Sequence, residues 1–90
     1  MKRFPIEIGS VVTSLAGRDE GRSFIVAKLI DEDFVEVADG GLRGMDRLKK
    51  KRRKHLKPSG RIVEEFVERS RKGALIENHE VRKWLKMEEE

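Results

Sequence analysis

A small, mainly β barrel followed by a short helical C-terminal extension is the fold class this sequence predicts. Three observations carry that expectation. Short apolar runs rich in β-branched residues recur through positions 6–57. Glycines and acidic clusters punctuate those runs at hairpin spacing. After Pro58 the apolar spacing changes to a helical period.

The elements follow in order. Ser10 to Ser14 is a β-branched run around Val11 and Val12. The loop AGRDEGR comes next, with Gly17 and Gly21 each followed by an arginine, Arg18 and Arg22. A glycine in such a loop allows positive φ or close backbone approach. Ser23 to Ile30, SFIVAKLI, reads as a second strand, and Asp31, Glu32 and Asp33 form a polar break after it. Phe34 to Ala38 alternates around Val35 and Val37, and Asp39, Gly40 and Gly41 supply turn chemistry. Strand alternation places Val11, Ile25, Ala27, Leu29, Val35 and Val37 in the barrel interior. Leu48 and the His55–Leu56 pair flank a basic run and suggest further short strands.

Pro58, Ser59 and Gly60 mark a boundary between residues 1–58 and an extension, 61–90. In the extension Ile62, Val63, Phe66 and Val67 share one helical face. Ser59 or Gly60 is a candidate start cap, and Gly73 a candidate stop. Asn78 is a candidate cap for a second helix, in which Val81, Trp84 and Leu85 lie at i, i+3 and i+4.

Ninety residues allow one small domain. The net charge is +4, and it is uneven: residues 1–60 carry +5 and residues 61–90 carry −1. There is no cysteine, which excludes disulfides, thiol nucleophiles and thiolate zinc sites and suits a reducing, cytoplasmic setting. The N-terminus has no apolar region of secretory type. No apolar stretch approaches the roughly 20 residues that span a bilayer, so no membrane partner is expected.

The charge concentrates in residues 43–57, RGMDRLKKKRRKHLK, which hold nine Lys or Arg and one acid. Lys49 to Lys54 is unbroken. Each of these groups loses hydration on leaving water, and the run repels itself. It is therefore expected to stay on the surface and to meet an extended anion. Nucleic-acid phosphate fits best, because its condensed counterions are released on binding. The competing reading is a solvated basic loop. Arg43, Arg47, Lys49, Lys50, Lys51, Arg52, Arg53, Lys54 and Lys57 are the candidate contacts.

Several other chemistries lack their residues. A phosphate-binding P-loop needs a terminal Gly-Lys-Ser/Thr that is absent. His55 and His79 are too few and too distant for a metal site, and no serine sits in a nucleophile elbow. Asp31, Glu32 and Asp33 lack the spaced ligands of a calcium loop, so turn solvation is their reading. No cofactor, small-molecule substrate or enzymatic activity is expected. Phe24, Phe66 and Trp84 sit in apolar patterns and are expected to pack rather than stack on bases. Binding is therefore expected to rest on charge and shape.

The segment IGSVVTSLAGRDEGRSFIVAKLI, residues 8–30, resembles a KOW motif, the short β-rich module of ribosomal proteins and NusG-type transcription factors. The match lies in Gly9, Val11, Val12, Gly17, Gly21 and the apolar strand after them. The continuation IDEDFVEVADG and the basic run ending in KHL resemble the ribosomal protein L14e/L6e/L27e group, in particular its small bacterial members. The resemblance covers about residues 6–57. It implies an SH3-like barrel that binds RNA, usually ribosomal RNA, in a ribosome-associated, translational role alongside ribosomal proteins. It also implies that Arg18, Arg22 and the basic run face RNA. Residues 61–90 lie outside the motif. A protein-interaction module is the alternative reading, with the tail docking a partner through Ile62, Phe66, Val81 and Trp84.

Overall fold

The computed structural model describes residues 5–89. Five strands form one antiparallel sheet: β1 (Ser10–Ser14), β2 (Ser23–Leu29), β3 (Phe34–Ala38), β4 (Lys49–Arg52) and β5 (Leu56–Ile62). Their order in space is β4-β3-β2-β1-β5. β4 and β5 are thus opposite edges, yet a single 3-10 turn, Arg53–His55, joins them. Laid flat, the edges of such a sheet would stand about 19 Å apart. A three-residue link reaches at most about 14 Å between its flanking residues. The sheet must therefore curl, which makes it barrel-like. A mainly β fold of this kind, with C-terminal helices, is what the sequence predicts.

Two helices follow, α1 (Glu64–Lys72) and α2 (Asn78–Glu89). α1 stops at Gly73, whose φ of 69° is left-handed and whose N–H bonds back to the Ser70 carbonyl. At the start of α2 the Glu77 N–H donates to Glu80 Oε1 at 3.2 Å, one half of a capping box. Asn78 is not the cap: its Oδ1 instead accepts the Met45 N–H at 2.7 Å. No helix among the described residues is long and apolar enough to cross a membrane.

Apolar side chains gather on both faces of the sheet. Val12, Phe24, Val26, Val35, Val37 and Leu56 fill the concave interior. Val11, Ile25, Ala27 and Ala38 lie on the outer face and pack with Val63, Phe66, Ile76, Val81, Trp84 and Leu85 of the helical segment. This corrects the expected interior. Val35 and Val37 are inside, but Val11, Ile25 and Ala27 point outward to the helices, and Leu29 is 45% exposed. β2 is apolar on both faces because both are covered, so its alternation could not say which face is the interior.

The helices are therefore part of the same packed unit. Pro58 to Gly60, expected to end the barrel, lie inside β5, where Pro58 stands opposite Val12. Proline is tolerated there because β5 is an edge strand. The helix begins only at Glu64, after Ile62 has closed the strand and Val63 has entered the core. Phe66 and Trp84 meet edge-to-face, with centroids 6.1 Å apart. Such a pair adds roughly 0.5–1.5 kcal/mol beyond burial. Phe66, Val81 and Trp84 are thus buried against the chain's own sheet and cannot present themselves to a partner, as the docking-module reading requires. Of that quartet only Ile62 is exposed, at 38%.

Two glycines show how closely the helices sit. Gly9 has φ +88°, and a Cβ there would lie 2.6 Å from Val67 of α1. Gly40 has φ +77°, and a Cβ there would lie 2.5 Å from the Asn78 carbonyl of α2. Arg82 of α2 also donates to the Gly40 carbonyl. The loop after β3 is folded for this contact: Asp39 Oδ1 accepts the N–H groups of Gly41 and Arg43 at 2.8 and 2.9 Å.

Candidate nucleic-acid interface

The basic run is a strand rather than a loop. Its residues pair with β3 in the register Phe34–Arg52, Val35–Lys51, Glu36–Lys50 and Val37–Lys49. Paired residues share a face of the sheet. Lys49 and Lys51 therefore point to the side of Val35 and Val37, the barrel interior. Lys50 and Arg52 point outward with Phe34 and Glu36.

The inward pair shares one carboxylate at the barrel mouth. Asp19 ends the short 3-10 turn Gly17–Asp19 in the β1–β2 loop, and its side chain is only 11% exposed. Asp19 Oδ2 lies 2.6 Å from Lys49 Nζ and 3.2 Å from Lys51 Nζ. Lys51 also donates to Ser14 Oγ at 3.0 Å, and the Ser14 hydroxyl donates in turn to the Ala16 carbonyl. The Lys51 ammonium stands 5.4 Å from the Phe24 ring centroid. With 9% of its side chain exposed, Lys51 is nearly buried. The hydrogen bond from Lys49, followed by that from Lys51, holds the Asp19 carboxyl below its usual range against the opposing effect of burial. The expectation that the whole run is solvated is therefore corrected at Lys51, where a carboxylate and a hydroxyl replace the lost water, while Lys49 stays one-third exposed at 32%.

The outward pair has no such partner. Lys50 Nζ and the Arg52 guanidinium lie 4.4 and 5.1 Å from the Phe34 ring centroid. The ring supports both cations without neutralising them. Arg53 is differently engaged. Its Nε donates to the Asp31 carbonyl at 3.0 Å, and its backbone N–H to the Asp33 carbonyl at 2.8 Å. Asp31 closes the β2–β3 turn by accepting the Asp33 and Phe34 N–H groups, each at 2.8 Å. Those two bonds, followed by Lys50 and Arg53, lower its pKa. Turn solvation is thus the use of this acidic cluster.

The remaining candidates spread around one end of the barrel and its flank. The Leu15 N–H bonds to the His55 carbonyl, so the loop carrying Arg18 abuts the turn carrying Lys54. Lys57 stands on β5, opposite Thr13. Arg43 is half-buried in the loop docked on α2, and Arg47 follows it on the surface. Arg18, Arg22, Arg47, Lys50, Arg52, Lys54 and Lys57 are all exposed. None forms an ion pair among the described residues.

Sequence reasoning missed Asp19 and Phe34. Among the described residues Asp19 is the one buried acid, and it sits between Gly17 and Gly21 in a tight loop. Phe34 opens a strand whose register with the basic run is not visible in one dimension. Among the described residues, Glu77, His79 and Glu80 form one cluster with candidate metal-ligand atoms within 4.8 Å. Glu80 is already engaged there by Arg69 and by the Glu77 N–H.

No family model matches the chain. It is similar to proteins named large ribosomal subunit protein eL14. It is 33% identical to that of Staphylothermus marinus over 61 residues, which cover 66% of this chain and 62% of the relative. It is 39% identical to that of Desulfurococcus amylolyticus over 59 residues, covering 64% and 60%. The chain thus spans about 60% of the length of these curated relatives. The L14e-like resemblance drawn from the glycines and the basic run agrees with them.

Proposed function

We propose that this chain is a non-catalytic RNA-binding protein that works on the ribosome, in the cytoplasm, by gripping ribosomal RNA through its phosphates. The observation that supports this most is the division of β4. Asp19 fixes the strand from inside, while Lys50 and Arg52 stand outward and unpaired. A basic strand fixed in this way presents charge with little ordering entropy left to lose on binding. Arg18, Lys54 and Lys57 extend the same charge around the barrel end. The relatives named eL14 belong to the large ribosomal subunit, which makes ribosomal RNA and its proteins the natural partners.

The contacts are to phosphate rather than to base edges. Lysine and arginine dominate the surface, and Phe34 is half-covered by its two cations. Binding of the full chain to a short double-stranded RNA hairpin tests this. With about four phosphates neutralised, log K against log salt slopes near about −4, if the duplex coefficient of about 0.9 per phosphate applies. Replacing Lys50 and Arg52 together by Gln weakens binding about tenfold, roughly 1.4 kcal/mol. It also flattens the slope by about 2, and it does so alike for hairpins of different sequence. Unchanged affinity at low salt in that variant would overturn the reading.

A further inference from the structure

We propose that a groove between the β1–β2 loop and α2 holds a backbone phosphate of the same RNA, carrying the contact surface from β4 onto the second helix. This rests on the RNA reading above and adds a part of the chain that the KOW resemblance does not reach. Arg22 and Ser23 form one wall of the groove, Arg82 and Lys86 the other, with Leu85 and Asp39 between them. Its volume is about 500 Å³, ample for a phosphate with its flanking sugars and water.

The charge arrangement points to an anion. Arg82 and Lys86 are i and i+4 on α2, where like charges repel and weaken a helix. Arg22 faces them from the loop, so three cations line the groove against one carboxylate. That carboxylate is engaged: Asp39 Oδ1 takes two N–H groups of its own loop. Arg82 is anchored by its bond to the Gly40 carbonyl, which fixes its guanidinium at the rim. Arg22 and Lys86 have no ion pair among the described residues. No aromatic ring lines the groove, so a flat base gains nothing there. The loop also carries Asp19, which clamps β4, so the groove and the basic strand share one rigid support.

The test uses the full chain, the same RNA hairpin and a salt series. Lys86→Gln removes no described hydrogen bond or ion pair, so the fold is retained, which circular dichroism verifies. It is expected to weaken binding about fivefold and to flatten the salt slope by about 1, the effect of one lost phosphate contact. Arg22→Gln is expected to do the same. Lys83→Gln, on α2 but outside the groove, is expected to change neither. Silence of Lys86→Gln alongside loss in the Lys50→Gln, Arg52→Gln pair overturns the groove and leaves the RNA reading standing. Silence of all these variants overturns both. A Lys83→Gln effect equal to that of Lys86→Gln means a diffuse field and overturns the groove. In a separate arm, inorganic phosphate is titrated while the amides of Gly21 to Ser23 are followed by NMR. Shifts that RNA reproduces at far lower concentration support the proposal. Saturation by free phosphate with no competition from RNA overturns it.

Discussion

Neighbouring residues of β4 carry the same charge in opposite surroundings. Lys49 and Lys51 turn into the barrel mouth and share one carboxylate, whereas Lys50 and Arg52 turn into water and share an aromatic ring. In the first pair Lys51 is structural, because a cation nearly out of water is tolerated only with a partner, and the partly exposed Lys49 shares that partner. The second pair is available, because a solvated cation contributes little to folding. A run of basic residues is therefore not one binding unit. The pleat of the strand sorts it into a half that holds the protein together and a half that can hold something else.

The largest expected effect tests the inward half. Asp19→Ala leaves Lys51 nearly buried with no counter-charge, and is expected to cost about 3 kcal/mol, the lower end for breaking a buried pair. Lys50→Ala and Arg52→Ala are expected to stay within about 0.5 kcal/mol, as ordinary surface changes do. Urea midpoints of the three variants measure this directly. Equal shifts would erase the distinction between the two faces.

Acid titration of stability comes next. The folded state holds the Asp19 carboxyl below its ordinary value of 3.8, so the folded chain gives up that proton more readily than the unfolded one. The resulting stability is fully present above that ordinary value and is lost as pH falls through the lower, folded value. Asp31 and Glu80 are held low as well, by backbone N–H groups and by Arg69 respectively, and act in the same direction. Asp19→Asn should therefore flatten, without abolishing, the fall in midpoint below about pH 4. A fall as steep as that of the parent chain would show that Asp19 is not part of it.

The smallest effect is the most diagnostic. Lys51→Met keeps the length of the side chain and removes the buried charge, leaving Asp19 with Lys49. Asp19 keeps Lys49 as its counter-charge, so no buried charge is left unpaired and a change within about 1 kcal/mol is expected. RNA affinity should stay within about twofold, since this ammonium is turned from solvent and releases few counterions. A tenfold loss of affinity would mean that the inward lysines also reach RNA.

Much of this architecture is legible in one dimension, and the exceptions share a cause. β1, β2, β3 and both helical segments announce themselves through apolar period and turn residues. β4 does not, because every residue from Lys49 to Lys54 is basic and alternation of surroundings leaves no trace in composition. Alternation along β2 does not tell the barrel interior from the helix-covered face, because Phe24 and Val26 are as apolar as Ile25 and Ala27. Pro58 to Gly60 read as an end in one dimension but lie within β5, because proline and glycine mark edge strands as well as ends. Arg18, Arg22, Lys50, Arg52, Lys54 and Lys57 could be named as surface cations from sequence. That Lys49 and Lys51 share Asp19 depends on contacts 30 or more residues away.

The close seat of Gly40 against α2 also bears on how the chain is made. A polypeptide synthesised from its N-terminus completes β4 well before residues 76–85 exist. Until then Val11, Ile25, Ala27 and Ala38 face water, and the loop after β3 lacks the Asn78 and Arg82 contacts that shape it. β1 likewise waits for β5, leaving an open edge prone to pairing with another chain. The unfinished barrel is therefore a vulnerable intermediate. The net positive charge of residues 1–60 opposes such pairing, since like-charged chains repel before their apolar surfaces meet.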